Sequence, residues 1–482
     1  MKVIQALLPF KIELTENPDP VTAHGGLPIL LEAMMATIPK SLYRELRDAL
    51  GYGNWKAIAR HLWSLVLLVA AGGDHLSDLD ILRADHGLEK LLGFKISSPS
   101  QVKEFLYAFH QNKDGRPLTE EEDAELSKAG KARIRPEGPA LHVLEVLTCP
   151  VLNAIQVARA RTMATLDVDA TIIEAHKKTA LKAYEGTVGY QPQMAWWAEQ
   201  RVWVCDEFRD GNVPAGFSMK EYLLHAFARL PAGVEHRRLR GDSALYEEEP
   251  LTWTAKVNIE FVVTADMSEG LAERITELPQ TAWSIYKDIR DPRHITEERE
   301  WAEVTFIPDW KRNRDPQNKP FRYIAVRVRP RQRELFTEAD RQWRHFAVVT
   351  NMDWAGGRLI RWHREKQGTV EHAHGVIKNE LAGGVMPCGR FGSNAAWWRI
   401  NVLVANLLEL VKALDTTGQL ENSRPKSIRF RLLNLGAELK HQARQWIMKL
   451  FKGLPQALLL VALRQALANL AVKLGTLAPS TG

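Results

Sequence analysis

The sequence predicts an α/β (α+β) protein in which a mixed sheet is flanked by helices. Runs that alternate between apolar and polar residues, typical of strands, recur between positions 165 and 350. Three-to-four spacing of apolar residues, typical of helices, appears before, between and after them. With 482 residues, 45% of them hydrophobic and 25% charged, the chain can bury more than one core, so we expect about two to four folded domains.

Five regions follow from these patterns. Residues 1–160 have helical spacing, notably at 27–50 and 55–69, and form a helical N-terminal region that either binds DNA or serves as a structural cap. Residues 161–266 and 343–415 form the two parts of the core, and residues 267–342 form a β-rich insertion between them. Residues 416–482 are predicted to be a basic helical C-terminal region.

The core elements are predicted in order along the chain. The first strand, 165–173, places Leu166 and Val168 on one face and Asp167 and Asp169 on the other. Further strands are predicted at 194–198, 201–208, 236–240, 259–264, 303–307, 323–329 and 345–350. Helices follow at 358–381 and 393–414, and the remainder, 424–475, is predicted to be helical.

Charge and cysteine content narrow the class of protein. The net charge of +6 and the isoelectric point near 9.0 weakly favour a polyanionic partner. Residues 311–344 and 424–452 each carry a surplus of seven positive charges, and a solvated basic face explains either stretch as well as nucleic-acid binding does. Three cysteines without CxxC spacing predict no disulfide framework and fit a reducing cytoplasm. We expect no signal peptide and no membrane segment, since the apolar run 457–470 is short and contains Arg464.

Three carboxylates stand where strands end or where a helix follows. Asp169 lies in the first strand, Asp242 directly follows the strand 236–240, and Glu371 lies in the helix after the last strand. Converging carboxylates raise one another's pKa, and divalent cations relieve that repulsion. Hard oxygen ligands favour two Mg²⁺ or Mn²⁺ ions, which activate a nucleophile on one side of a phosphate and stabilise the leaving oxygen on the other.

The helix that carries Glu371 also carries a cation on the same face. Glu371 and Lys378 are seven residues apart, which is two helical turns, and His374 lies between them. Such an acid and base are also common on solvated helices. His372 and His374 lie about 200° apart around a helix and cannot chelate one metal together. We expect both histidines to be helix-surface or DNA-proximal residues.

Here the sequence resembles a known family. Asp169-Ala-Thr, Arg240-Gly-Asp242-Ser-Ala-Leu-Tyr246, and Glu371 seven residues before Lys378 resemble the DDE transposases of bacterial insertion sequences, in particular the group named for insertion sequence 1380. Two further segments, Tyr184-Glu-Gly-Thr-Val-Gly-Tyr-Gln-Pro192 and Phe208-Arg-Asp-Gly-Asn-Val-Pro214, also resemble that group, and the likeness extends from about residue 20 to residue 450.

The resemblance implies a ribonuclease-H-like core with a β-rich insertion before the glutamate, and Asp169, Asp242 and Glu371 as the metal ligands. It implies nicking of DNA at terminal inverted repeats, followed by attack of the freed 3′-hydroxyl on target DNA. It also implies a homodimer in a synaptic complex, acting in the bacterial cytoplasm at the nucleoid. Asp167 remains an alternative to Asp169, because both point to the same face.

The sequence departs from the family pattern at the positions that grip DNA. The wider signature has Tyr and Arg seven and four residues before the glutamate, where this chain has Arg364 and Gln367. We expect Lys378 and Arg364 to contact phosphate, and Arg361, Arg364 or Lys366 to substitute for the missing residues. Trp310 is the best candidate among the tryptophans to stack on a base at a DNA end, because it lies beside Arg312 in the basic insertion. Core or surface packing is the alternative for this residue, as for the other tryptophans.

Two other classes of function remain open. A domesticated or inactive transposase would bind DNA without cutting it, and a stand-alone ribonuclease-H-like nuclease would cleave without joining. A Cys-His hydrolase is not supported, since Cys205 and His225 have no partners at nucleophile spacing.

Overall fold

The N-terminal region is a bundle of short helices. The computed structural model describes residues 21–128, 132–287, 293, 297–312, 321–330 and 342–477. The predicted 27–50 segment is two helices, because Pro39 interrupts it. The helices of this region are α1 (Pro28–Thr37), α2 (Lys40–Leu50), α3 (Trp55–Ala71), α4 (Leu79–Ala84), α5 (His86–Leu92), α6 (Pro99–Tyr107), α7 (Glu120–Leu126), α8 (Pro139–Val146) and α9 (Thr148–Ala158), and a two-residue strand, β1 (Val21–Thr22), precedes them.

The centre of the molecule is a nine-stranded sheet in the order β10-β11-β12-β13-β9-β8-β2-β6-β7. Three further strands form a small separate sheet in the order β3-β5-β4. The strands are β2 (Met163–Ala170), β3 (Ile173–Glu174), β4 (Leu181–Lys182), β5 (Val188–Tyr190), β6 (Gln193–Trp197), β7 (Val202–Glu207), β8 (His236–Gly241), β9 (Glu260–Ala265), β10 (Ser284–Ile285), β11 (Glu297–Val304), β12 (Arg322–Pro330) and β13 (Arg344–Thr350).

Half of this sheet has the ribonuclease-H-like strand order. Strands β7, β6 and β2 are antiparallel, and β8 and β9 then add parallel to β2. Helix α10 (Met219–Ala228) connects β7 to β8, and α11 (Glu248–Lys256) connects β8 to β9. The predicted mixed sheet flanked by helices is confirmed.

The insertion lengthens the same sheet. After α12 (Glu269–Thr276), strands β10, β11 and β12 pair antiparallel in sequence, and β12 pairs with β13, which in turn pairs with β9. A short helix, α13 (Asp309–Arg312), lies between β11 and β12. The insertion therefore stands between the strands that precede it and the helix that carries Glu371.

Two long helices complete the core. Helix α14 (Gly356–Asn379) packs on β2, β8, β9 and β11, and α15 (Phe391–Leu414) lies between β7 and the N-terminal helices. Arg399 of α15 is buried and pairs with Asp206 of β7 and with Glu137, so that the charge is compensated inside the core.

The C-terminal region differs from the expected all-helical segment. Between α16 (Pro425–Ile428) and α17 (Pro455–Lys473) it contains an antiparallel hairpin, β14 (Ala437–Gln442) and β15 (Gln445–Lys449), and β14 pairs with β1. The turn residues Ala443 and Arg444 have positive φ values of 50° and 63°, without the glycine or asparagine that normally marks such a turn.

Two helical segments in the described ranges meet the length and composition of a membrane span. They are 139–158, which is 56% buried within the protein, and 455–473, which is 39% buried. Core helices of soluble proteins pass the same test, so these two segments are weak evidence for a membrane.

Candidate active site

Asp169 and Asp242 meet at the carboxyl ends of two neighbouring parallel strands. The last pair of the β2–β8 ladder is Asp167 opposite Arg240, and Asp169 and Asp242 each lie two residues beyond it, at the same edge of the sheet. Neighbouring strands are about 4.8 Å apart. Two aspartates that are 73 residues apart in sequence therefore share one edge of the sheet.

Asp169 lies in a half-buried, strongly charged environment. Its Oδ1 is 3.2 Å from the Lys366 ammonium, and its Oδ2 is 3.7 Å from Nε2 of His374. Burial is the main cause that raises the pKa of Asp169 to about 6, and Lys366 partly offsets it. The negative charges of Asp242 and Glu371 raise the pKa of Asp169 further, so both acids lie within electrostatic reach of Asp169.

Asp242 is exposed at the start of a tight turn. Its Oδ1 accepts a hydrogen bond of 3.1 Å from the backbone N–H of Ala244. At Gly241, a Cβ atom would lie 1.9 Å from the Leu245 side chain, so a larger residue before the turn would require Leu245 to move. Nε2 of His363, on α14, is 2.9 Å from the Gly241 carbonyl oxygen. The turn and the helix together fix the position of Asp242.

Asp167 has a structural role. It is fully buried, and Nε and Nη2 of Arg240 donate to its two carboxylate oxygens at 2.6 and 2.9 Å. Thr369 of α14 donates a further hydrogen bond to Asp167, and Arg240 donates to the carbonyl oxygen of Trp362 at 2.6 Å. Asp167 thus ties α14 to the sheet, which leaves Asp169 as the acid that faces the site.

Glu371 is carried to the site by α14. It is exposed and lies one helical turn from His374 and two turns from Lys378, as the spacing predicts. Lys378 is half-buried, and its Nζ donates to the carbonyl oxygen of Ile172 at 3.4 Å. Burial is the main cause that lowers the pKa of Lys378, while the charges of Glu185 and Asp169 raise it.

The other residues predicted to contact DNA differ in their exposure to solvent. Arg361 is exposed and Arg364 half-buried on α14, whereas Lys366 is buried against Asp169. Trp310 is half-buried, with its ring centroid 6.4 Å from that of Tyr246 and 6.5 Å from that of Phe321. The side chain of Arg312 lies outside the described residues.

The donor set suits a pair of hard divalent cations. All three predicted ligands are carboxylates, which Mg²⁺ and Mn²⁺ prefer. In the described ranges, the groups whose three ligand atoms lie within 4.8 Å of one another are elsewhere: Glu145, Cys205 and His225, and Asp74, His75 and Asp78. One Mg²⁺ with ligands at about 2.1 Å would bring its oxygens within about 4.2 Å of each other. Asp169, Asp242 and Glu371 are not among these groups, so in this conformation their oxygens do not all lie that close.

His374 lies beside Asp169 and is buried. It was expected at the helix surface or near DNA, and only the helix-surface alternative is wrong, because its ring is buried 5.0 Å from that of Trp203. Neither ring nitrogen has a hydrogen-bond partner among the described residues, and burial lowers the pKa of His374 to about 3. The signal was available, because His374 continues the buried helical stripe of Lys366, Val370, Ala373 and Ile377.

Cys205 and His225, for which the sequence indicates no partners at nucleophile spacing, lie beside each other in the structure. Cys205 Sγ is 3.8 Å from Nδ1 of His225 and 3.7 Å from Oε1 of Glu145. Burial raises the pKa of the Cys205 thiol well above its usual value, and Arg229 pairs with Glu145 at 2.8 Å. The thiol is therefore kept neutral, which is the opposite of what a nucleophilic cysteine needs.

Comparison with known proteins places almost the whole chain in one family. A family model described as "Transposase DDE domain group 1" matches residues 8–472, which include all three acids. Among solved structures, the chain is similar to a piggyBac transposase in a synaptic complex with hairpin DNA, at 11% identity and a TM-score of 0.46, with 97% of this chain and 85% of that chain covered. No curated protein matches the sequence.

Proposed function

Because the chain belongs to group 1 of the DDE-domain transposases, we propose that it cuts DNA at terminal inverted repeats and joins the 3′-hydroxyl ends to target DNA. In this proposal, two Mg²⁺ or Mn²⁺ ions are held by Asp169, Asp242 and Glu371. Such ions lower the pKa of a bound nucleophile and neutralise charge on the leaving oxygen.

The observation that carries the proposal is the convergence of the three acids. Asp169 and Asp242 share a sheet edge through the β2–β8 register, and α14 brings Glu371 within electrostatic reach of Asp169. Burial and mutual repulsion raise the pKa of Asp169, a cost that a bound cation removes. Lys366 already places one positive charge there.

The cations around the acids suit a DNA backbone. Lys378, Arg361 and Arg364 lie on α14 together with Glu371, and we assign them to phosphate groups near the cleaved bond. Lys366, in contact with Asp169, acts on the carboxylate rather than on DNA. We also propose that Trp310 and Arg312 of the insertion contact DNA.

The sequence motifs also bear on the transposase group and on where the protein works. The segments at 184–192 and 208–214 favour the group named for insertion sequence 1380, and with it a bacterial protein that works in the cytoplasm at the nucleoid. Joining two transposon ends requires two active sites, so we propose a homodimer in the synaptic complex.

Substitution of Asp242 by Asn tests the proposal. We expect Asp242→Asn to abolish Mg²⁺-dependent nicking of a duplex that carries the inverted repeat found beside the gene, because one ligand charge is lost. DNA binding, measured by fluorescence anisotropy, should be largely unchanged. Asp266→Asn is the matched control, since Asp266 is also exposed and directly follows the next parallel strand, β9.

Three outcomes contradict the proposal. Nicking retained by Asp242→Asn would remove Asp242 from the site. Binding without any Mg²⁺- or Mn²⁺-dependent cleavage by the wild-type protein would indicate a transposase that only binds DNA. Cleavage without strand-transfer products, when a target duplex is supplied, would indicate a nuclease.

A further inference from the structure

An exposed aromatic ring stands at the edge of the acidic site. Tyr184 lies in the turn between β4 and β5, and 81% of its surface is accessible to solvent. Its hydroxyl group donates a hydrogen bond of 2.8 Å to the carboxylate of Glu185. A large aromatic side chain left this exposed is available to a ligand.

The turn that carries Tyr184 is firmly anchored. Strand β5 lies between β3 and β4, and a Cβ atom at Gly189 would be 1.9 Å from the Ile173 carbonyl oxygen, so these strands approach closely. Gly211 packs in the same way against the Leu181 carbonyl oxygen, at 2.4 Å. Gly186 has a φ of 92°, which glycine adopts without strain. The exposed Tyr184 ring is therefore carried by a turn between closely packed strands.

Tyr184 faces the cleft that opens beside the first acid. The cleft has a volume of about 430 Å³, and its walls include Ala170 and Thr171, the two residues directly after Asp169, together with Lys378. The hydrogen bond to Glu185 is the main cause that raises the pKa of Tyr184, and the charges of Asp242 and Asp169 add to it. Tyr184 thus lies within electrostatic reach of both aspartates.

The chemistry of this cleft suits a base better than a phosphate. Two carboxylates, Glu174 and Glu185, and one ammonium group, Lys378, line it, so the net negative charge of its walls disfavours a second phosphate group beside the one assigned to Lys378. Thr171 and Gln191 offer hydrogen-bonding groups, and the Tyr184 ring offers an aromatic face. Trp310, the aromatic residue favoured from sequence, is instead half-buried beside Tyr246 and Phe321.

We propose that Tyr184 stacks on an unpaired nucleobase next to the phosphodiester held by Asp169, Asp242 and Glu371. This inference rests on the proposed function, because it requires that DNA is cut at those acids. Stacking on an aromatic side chain tolerates any base and fixes the strand close to the reacting bond.

The test uses 2-aminopurine, a fluorescent base whose emission responds to stacking. The substrates are duplexes that carry the inverted repeat found beside the gene, with a nick at the end of the repeat. Each duplex has the probe at one of the positions that flank the nick. Ca²⁺ replaces Mg²⁺ in the buffer. A second set has the probe in a target duplex. We expect one position at which the wild type and Tyr184→Phe give the same signal, while Tyr184→Ala gives the signal of an unstacked base.

Binding affinity provides an independent readout. Tyr184→Ala should weaken binding of the nicked duplex by about tenfold, and an abasic site at the responsive position should remove that difference between Tyr184→Ala and the wild type. Phe430→Ala is the matched control, since Phe430 is 83% exposed and lies on the helical side of the molecule. It should behave as the wild type does.

The outcomes separate the two proposals. Suppose that the wild type cleaves the repeat. The stacking role is then overturned, and the proposed function stands, if Tyr184→Ala gives the binding affinity and the 2-aminopurine signal of the wild type in both probe sets. The same conclusion follows if Tyr184→Ala still binds abasic DNA more weakly than the wild type does. A response confined to the target duplex supports stacking on a target base. If the wild type neither binds nor cleaves the repeat, both proposals are overturned.

Discussion

Asp167 and Asp169 are two residues apart, on the same face of one strand, and have different environments. Asp167 is enclosed by Arg240 and Thr369, whereas Asp169 faces Lys366 and His374 at the edge of the sheet. The alternation of the strand predicts the shared face but not the partners. Those partners come from β8 and α14, so the choice between the two acids depends on tertiary contacts.

Substituting each aspartate by Asn should separate the two roles. Asp167→Asn leaves the buried Arg240 without its charged partner, and we expect it to lower the free energy of unfolding by about 3 kcal/mol. Asp169→Asn should change it by less than about 1 kcal/mol, because burial already favours the neutral carboxyl group, but should abolish Mg²⁺-dependent nicking. Urea denaturation and a nicking assay measure both effects.

The reverse pattern would contradict this division of roles. If Asp167→Asn is as stable as the wild type and loses nicking, while Asp169→Asn keeps it, Asp167 is the functional acid.

Helix α14 determines how the third acid reaches the other two. The helix was predicted at 358–381 and observed at Gly356–Asn379, so its existence was readable from apolar spacing. Its placement was not readable from that spacing. Arg240 and His363 fix it against β8, and at its first turn Gly356 lies directly on the Trp301 ring of β11.

Two glycines of α14 provide a matched pair of tests. At Gly356 a Cβ atom would lie 2.3 Å from the Trp301 ring, so Gly356→Ala should push the helix outward and cost about 1–3 kcal/mol of unfolding free energy. Nothing lies within 4 Å of a Cβ atom at Gly368, so Gly368→Ala should gain up to about 1 kcal/mol from helix propensity.

The same pair tests the link from helix position to activity. Displacement of α14 moves Glu371, so Gly356→Ala should slow Mg²⁺-dependent nicking by about tenfold or more, while Gly368→Ala should nick like the wild type. Equal stability and equal nicking rates in the two variants would show that the contact with Trp301 does not position α14.

At the scale of the whole molecule, hydrophobic periodicity predicted the helices and strands better than it predicted which strands pair. The strands of the core and both long helices were found, and the mixed sheet is confirmed. That the insertion continues the same sheet through β12 and β13 depends on long-range pairing, which periodicity does not encode. The C-terminal hairpin was missed because Ala443 and Arg444 adopt positive φ without a turn signature.

We propose a metal centre at the edge of the sheet where β2 and β8 end. Crystals soaked in Mn²⁺ and measured at the manganese absorption edge give its position directly. We expect two anomalous peaks bounded by the carboxylates of Asp169, Asp242 and Glu371. Manganese bound elsewhere, for instance between Glu145, Cys205 and His225, with none at these three acids, would contradict the account.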